Sequence, residues 1–287
     1  MSEPQMLRFA LPKGRMEEGV RRLLADAGIH LRAGSRSYRP KLSIPGVEVK
    51  ILKPQNIVEM LQFGSRDIGF AGADWVEELG GGVVELLDTG LDPVRLVAAA
   101  PKELVPGWKS RRSLVVASEY EKTTRRWIAD SGIDARFVRS FGATEVFPPE
   151  DADIIVDNTA TGSTLEANGL EIIAELMRST TRFYAHPAAL DDAEKREGIE
   201  RLVLLMRSVL TARDRVMVEV NVEASKLEAV CAALPCMREP TIAQLHGDAG
   251  YAVKAAVRKS DLPRIIPDIK ARGGCDIVVT ALAQIVP

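Results

Sequence analysis

Residues 153–169 read Asp-Ile-Ile-Val-Asp-Asn-Thr-Ala-Thr-Gly-Ser-Thr-Leu-Glu-Ala-Asn-Gly, and their types suit one chemistry. A run of buried-strand character, Ile154-Ile155-Val156, ends in the carboxylate of Asp157. Small and hydroxyl residues follow around Gly162, and Leu165-Glu166-Ala167 reads as the opening of a helix that Gly169 can close. A strand that feeds a small-residue loop and a helix start makes an anion site, because backbone N–H groups and the helix dipole both favour a phosphate. Thr161, Ser163 and Thr164 can donate hydroxyl hydrogen bonds to phosphate oxygens, and Gly162 lets the backbone approach closely. Asp157 repels phosphate and suits hydroxyls or a metal beside it. A sugar 5-phosphate with its 2- and 3-hydroxyls satisfies both halves. The plain alternative is a strand–loop–helix connection capped by Thr and Ser.

Other residues could serve the same chemistry. Lys13 and Arg15 flank a glycine at the end of an apolar strand, residues 6–11, and before a helix, residues 16–27. Two cations at a strand end can contact a polyphosphate; the ordinary reading is a solvated loop. Asp74 stands two residues after Gly72 where a helix begins, which favours an N-cap role with a cleft-edge contact beside it. Glu145 is a cleft carboxylate or a helix-start carboxylate.

The elements that must position these residues alternate. Strands are expected at residues 47–52, 94–100, 114–117, 137–138, 154–156, 172–176 and 182–184. Helices are expected through Val58, Leu61 and Phe63, over residues 120–130, and over residues 190–211, where Ile199, Leu202, Leu205, Met206 and Val209 recur at helical spacing. Such alternation implies an α/β sheet. The last part differs. Val216, Val218, Val220 and Val222 alternate with Met217, Glu219 and Asn221 as a half-buried strand. A helix opened by Ser225, strands at 241–245 and 251–257 around the turn 247–250, a helix opened by Ser260 and a strand at 277–279 complete β-α-β-β-α-β, a ferredoxin-like order.

Composition excludes several classes. The chain has 287 residues, enough for two or three domains, with 46% hydrophobic and 27% charged residues. A formal net charge of -2 gives no nucleic-acid surface, so any polyphosphate site must come from local groups. No apolar run is long enough for a membrane span, and residues 1–5 lack the regions of a signal peptide. Three unpatterned cysteines, Cys231, Cys236 and Cys275, read as reduced thiols in a cytoplasmic protein. The three histidines are too scattered for a zinc site.

The pattern Asp157-x-x-x-Thr161-Gly162-x-Thr164-Leu165-Glu166-Ala167-Asn168-Gly169 resembles the phosphoribosyl-pyrophosphate loop of the ATP phosphoribosyltransferases, the first enzymes of histidine biosynthesis. Residues 67–78, Lys13-Gly14-Arg15 and residues 140–146 are similar to further family segments, so the resemblance covers nearly the whole chain and the long form of the family. The family usually has arginine where Lys53 stands and aspartate where Asn56 stands, and lysine lacks arginine's bidentate fork.

The resemblance implies a two-lobed core like that of type II periplasmic binding proteins. Lobe I is residues 1–92 with 182–210, lobe II is residues 93–181, and the active site lies in the cleft between them. A regulatory domain, residues 211–287, follows. In that frame Asp157, Asn158, Thr159, Ala160, Thr161, Gly162, Ser163 and Thr164 hold phosphoribosyl pyrophosphate. Lys13, Arg15, Lys53, Asp74 and Glu145 make catalytic or polyphosphate contacts. Glu219 and Thr241 hold the ammonium and carboxylate ends of histidine, the feedback inhibitor. ATP is the second substrate, and Mg2+ enters mainly on substrate phosphates. Dimers that assemble into hexamers are implied. A non-catalytic small-molecule binding or sensor module of the same fold has no use for the phosphate loop. A type I phosphoribosyltransferase usually shows paired carboxylates, where this chain has Asp157-Asn158.

Overall fold

The computed structural model describes residues 6–32, 38–237 and 239–286; residues 1–5, read above for a signal peptide, lie outside them. The chain divides into two compact units, Met1–Arg201 and Leu202–Pro287. In chain order the first elements are β1 (Leu7–Pro12), α1 (Arg15–Asp26), β2 (Leu31–Arg32), β3 (Lys41–Leu42), β4 (Val47–Leu52), α2 (Pro54–Gln62), β5 (Ile68–Gly72) and α3 (Ala73–Glu78). Then come β6 (Val84–Pro101), β7 (Leu114–Ser118), α4 (Glu121–Ser131), β8 (Ala135–Arg139), β9 (Ile154–Thr159), α5 (Ser163–Ala167), β10 (Leu170–Ala185), α6 (Pro187–Asp191) and α7 (Ala193–Arg213). The last are β11 (Arg215–Val222), α8 (Leu227–Cys231), β12 (Thr241–Gln244), β13 (Tyr251–Arg258), α9 (Leu262–Ala271) and β14 (Cys275–Ala281).

Among the described residues the first unit has one ten-stranded sheet, in the order β2-β3-β4-β1-β5-β10-β6-β9-β7-β8. β4, β1 and β5 are parallel neighbours, as are β8, β7 and β9. Parallel neighbours need crossovers, which the alternating helices supply. β6 and β10 are long and pair antiparallel along nearly their whole length. The end of β10, Thr181–Ala185, pairs with β5, whereas Arg95–Ala99 of β6 pairs with β9. Each long strand therefore passes from one lobe to the other, and the core is the two-lobed α/β fold expected from the sequence.

Local chemistry explains where the elements differ from expectation. The segments read as short strands at 94–100, 172–176 and 182–184 belong to β6 and β10. Gly90, Asp92 at φ 48° and Pro93 look like a stop, but register shifts around Ser179–Arg182 absorb them as irregularities in one ladder. The helix expected from residue 190 is two helices. Asp192 is extended, and its Oδ1 accepts the N–H of Lys195 at 3.0 Å, starting α7 afresh. α2 ends at Gln62, so Phe63 falls outside it and is 81% exposed.

One face of the first lobe is aromatic. Phe9 on β1, Phe70 on β5 and Phe183 on β10 are fully buried, with ring centroids 4.7 to 5.8 Å apart. Such pairs add about 0.5–1.5 kcal/mol each beyond burial. On the opposite face Ala10, Ala71 and Tyr184 pack with Ile57, Val58 and Leu61 of α2.

The second unit has the sheet order β12-β13-β11-β14 with every pairing antiparallel, the ferredoxin-like arrangement. Val216, Val218, Val220 and Val222 turn toward Val230 of α8 and Ile265 and Ile269 of α9. Ser225 and Ser260 do not cap these helices. They sit in 3-10 turns, Ala224–Lys226 and Lys259–Asp261, and α8 and α9 have no side-chain cap bond. Cys231, Cys236 and Cys275 form no disulfide. Among the described residues no helix is long and apolar enough to cross a membrane.

A buried carboxylate ties the first lobe together. Asp67, 2% exposed, precedes β5. Its Oδ2 accepts the backbone N–H of Arg8 at 2.7 Å, and its Oδ1 meets the Arg8 guanidinium at 2.7 Å and Lys195 Nζ of α7 at 3.0 Å. Burial pushes the Asp67 carboxyl up, but the bonds from Arg8 and Lys195 outweigh it and hold the group below its ordinary value. A depressed carboxyl stabilises the fold above its unfolded pKa of about 4 and loses that contribution as pH falls through the lower folded value. Asp67→Asn should lower unfolding stability at neutral pH by about 2–3 kcal/mol, less than for a fully buried pair because Arg8 reaches solvent. It should also flatten the acid limb of the stability profile. Urea titrations of both proteins from neutral to acid pH measure this; parallel profiles would refute it.

Candidate functional site

The cleft of the first unit holds a cavity of about 250 Å³ whose lining includes Lys13, Arg15, Asp74 and Asn158. Three distant segments thus converge, and all four residues were singled out from the sequence. β1 ends just before Lys13, and Arg15 is the first residue of α1. A cation at a helix N-terminus opposes the dipole, an arrangement that a bound anion relieves. Lys13 Nζ donates to the Tyr38 hydroxyl at 2.9 Å and lies 5.0 Å from the ring centroid; this hydrogen bond raises the lysine pKa from its ordinary value. Tyr38 carried no signal in the sequence, because an isolated tyrosine in a loop has no period to betray it.

Asp74 is not the N-cap that its position suggested. Gly72 occupies that place, and Asp74 lies inside the first turn of α3. Its side chain is 5% exposed and fully engaged. Oδ1 accepts from Ser179 Oγ at 2.7 Å, Oδ2 accepts from the Tyr120 hydroxyl at 2.7 Å, and its backbone N–H donates to Ser179 Oγ at 3.1 Å. The Tyr120 hydroxyl in turn accepts from Asn158 Nδ2 at 2.8 Å. Burial and the adjacent Asp74 carboxylate push the Tyr120 pKa well up, so its hydroxyl stays protonated and donating. Trp75 stacks on the same ring at 4.5 Å. A side chain at Gly72 would collide with Asp74 Oδ1, so glycine is required there for close approach. Next along α3, buried Glu78 accepts the N–H groups of Lys122 at 2.8 Å and Thr123 at 2.9 Å, capping α4 from across the cleft floor.

Ser179, Thr180 and Thr181 of β10 line the same cavity and were missed. Their signal was a hydroxyl run inside an apolar strand, with Ser179 and Thr181 buried. Asp92 also lines it and accepts from Thr181 Oγ1 at 2.8 Å.

The 157–164 loop has the strand–loop–helix form read from the sequence. β9 runs to Thr159, Thr159 Oγ1 accepts the N–H of Gly162 at 2.8 Å, and Gly162 turns at φ 89° into α5. Thr161 Oγ1 and Ser163 Oγ share a hydrogen bond of 3.0 Å at the exposed loop face, beside Ala160 and Thr164. Asp157 Oδ1 accepts the N–H of Asn158 at 2.7 Å. Burial, with the nearby Glu145 and Glu119 charges, pushes its carboxyl from 3.8 to about 6. Glu145 is therefore within electrostatic reach of the loop. Lys53 is exposed just before α2 and is not part of the cavity wall, although Pro54 is. Asn56 donates to Glu59 at 3.2 Å.

No three His, Cys, Asp or Glu side chains gather as a metal cage among the described residues. The donor set is instead a few carboxylates, Asp157 with Glu145 and Glu119 in its field, which fits a cation that arrives on phosphates.

In the second unit Glu219 and Thr241 stand on either side of Lys254, each its register partner on a neighbouring strand. Lys254 Nζ meets Glu219 Oε1 at 2.9 Å. Thr241 and Lys254 also line a hollow of about 250 Å³ with Glu239.

Known proteins resemble this chain along most of its length. Residues 53–208 match the model of the ATP phosphoribosyltransferase family, and residues 212–284 match that of its C-terminal domain. The chain is 34% identical to an ATP phosphoribosyltransferase from Pelotomaculum thermopropionicum, over 98% of this chain and 99% of that protein. It is 34% identical to one from Chlorobium phaeovibrioides over 94% of each. An ATP phosphoribosyl transferase (HisG:HisZ) complex from Thermotoga maritima contains a chain that superimposes with a TM-score of 0.62 at 27% identity, covering 70% of this chain and 99% of that one. On the strength of its sequence along nearly the full length, its core fold and its C-terminal domain, the chain belongs to the ATP phosphoribosyltransferase family.

Proposed function

We propose that the cleft of the first unit transfers the phosphoribosyl group of phosphoribosyl pyrophosphate to N1 of ATP, releasing pyrophosphate. The observation that carries this reading is the meeting of Lys13 and Arg15 with Asp74 and Asn158 in one cavity, next to the 157–164 loop. N1 of adenine already presents a lone pair, so the reaction needs no general base before attack. It needs alignment of two substrates, stabilisation of an oxocarbenium-like C1 and neutralisation of a departing polyanion. Lys13 and Arg15 supply positive charge for the leaving pyrophosphate. The Thr161, Ser163 and Thr164 hydroxyls, with the backbone at Gly162, receive the 5-phosphate, while ionised Asp157 accepts from the ribose hydroxyls. Asp74, Tyr120 and Asn158 hold the cleft floor in position. Mg2+ entering on the phosphates would lie beside Asp157 and Glu145 and neutralise pyrophosphate charge.

We assign residues 1–92 with 182–210 and residues 93–181 to the two lobes, and residues 211–287 to regulation. The natural setting of such a biosynthetic enzyme is the cytoplasm, as an assembly of dimers. In the regulatory domain histidine would place its ammonium on Glu219 and its carboxylate near Thr241. Lys254 is then displaced from Glu219 and freed for the carboxylate. The exposed pair costs only about 0–1 kcal/mol to open.

The deciding assay is pyrophosphate release from ATP plus phosphoribosyl pyrophosphate with Mg2+; a folded protein that releases none sinks the reading. Lys13→Ala with Arg15→Ala should lower kcat/KM by about 100-fold or more.

Asp157→Asn should abolish most activity yet stabilise the fold. A carboxyl raised to about 6 in the folded state is destabilising once ionised. Its penalty grows as pH climbs from the unfolded value to the folded one and is complete at pH 7. The variant should gain about 1–3 kcal/mol at pH 7, and wild-type kcat/KM should fall as pH drops below about 6. A variant that melts lower than wild type at pH 7 contradicts this.

Glu219→Gln and Thr241→Ala should each raise the histidine concentration for half-inhibition by about tenfold, with activity in its absence unchanged. An unshifted inhibition curve removes both residues from the histidine site.

A further inference from the structure

The geometry points to a second anion site in the Leu202–Pro287 unit, at the turn from α7 into β11, that takes a small polyphosphate ester bearing free hydroxyls. The basin there has a volume of about 490 Å³ and carries four cations, Arg213, Arg215, Arg258 and Lys259. That volume lies within the range of small-molecule sites. In a chain of net charge -2, the concentration of cations is a local feature.

The cations are not equivalent. Lys259 is accounted for by the fold: its Nζ donates to the carbonyl of Arg213, the last residue of α7, at 2.6 Å. A cation suits a helix C-terminus. Arg215 and Arg258 have no such account. They are register partners on antiparallel β11 and β13, so both side chains project from one face of the sheet. It is the face away from α8 and α9, because Val216 and Val257 point into the core. Like charges in this arrangement repel. Among the described residues neither guanidinium has a carboxylate ion-pair partner. The contrast lies four residues along the same ladder, where Glu219 faces Lys254 and the two form an ion pair of 2.9 Å. Charges oppose correctly there and repel at Arg215 and Arg258.

Two neighbouring guanidinium forks match two adjacent phosphate groups, each able to receive a bidentate contact. Thr211 and Ser260 bring hydroxyls to the same wall, donors for a phosphate oxygen or partners for a ligand hydroxyl. Asp214 is the one carboxylate of the lining. It disfavours a bare anion and accepts from hydroxyls, which selects a phosphorylated sugar or nucleotide over inorganic polyphosphate.

Calorimetric titration of the full chain carrying Lys13→Ala and Arg15→Ala, which weakens the cleft, tests this with two probes, UTP and inorganic tripolyphosphate. UTP should bind one saturable site per chain more tightly than tripolyphosphate, and its affinity should fall steeply with added salt. Adding Arg215→Gln and Arg258→Gln should weaken UTP at least about tenfold. Tripolyphosphate binding as tight as UTP would overturn the role of Asp214 and the ester. Arg258→Gln alone should unfold at no lower temperature than its parent, since it relieves a repulsion, and UTP should no longer raise its melting temperature. The proposal fails if UTP does not saturate a site in the first background, or if it binds undiminished without the two arginines. It also fails if Arg258→Gln destabilises the ligand-free protein, which would make the pair a structural element.

Discussion

Asp74 is a carboxylate almost removed from water, and the cleft is built around satisfying it. A charged group so placed costs several kcal/mol unless its oxygens find donors. Here the donors come from Ser179 on a strand that passes between the lobes and from Tyr120 at the start of α4 in the other lobe. Tyr120 is in turn set by Ser118, whose Oγ accepts the Tyr120 N–H at 2.9 Å while donating to the Val156 carbonyl at 2.6 Å. The chain of bonds then reaches Asn158, next to the loop carboxylate. The position of the 157–164 loop thus depends on one buried group and its hydroxyl partners.

Charge in the cleft is arranged by role. The cations Lys13 and Arg15 stand at the open end of β1 and the start of α1, exposed and able to meet a polyanion. Burial, with the charges of Glu145 and Glu119 beside it, raises the Asp157 carboxyl to about 6.

The second unit repeats the theme on a flat surface. Its sheet buries valines on one face and presents Met217, Glu219 and Asn221 on the other. On that open face cross-strand charge pairs follow the complementary rule at Glu219 and Lys254 and break it at Arg215 and Arg258.

The sequence by itself determined most element types, the strand–loop–helix form at 154–167 and the order of the C-terminal domain. These rest on local rules: alternation of valines, the strand–loop–helix run at 154–167, and glycine where the backbone must turn. It also singled out Lys13, Arg15, Asp74 and Asn158, by residue type and by likeness to a family. Only the tertiary structure decided what Asp74 does. An aspartate in a Gly-x-Asp turn at a helix start is a cap by local rules, yet the free energy of burying it is set by Ser179 and Tyr120, 105 and 46 residues away. The same holds for Tyr38, for the hydroxyl run of β10, and for the continuity of β6 through Gly90 and Pro93. Each depends on a partner strand or ring far along the chain, and no local period records such a partner.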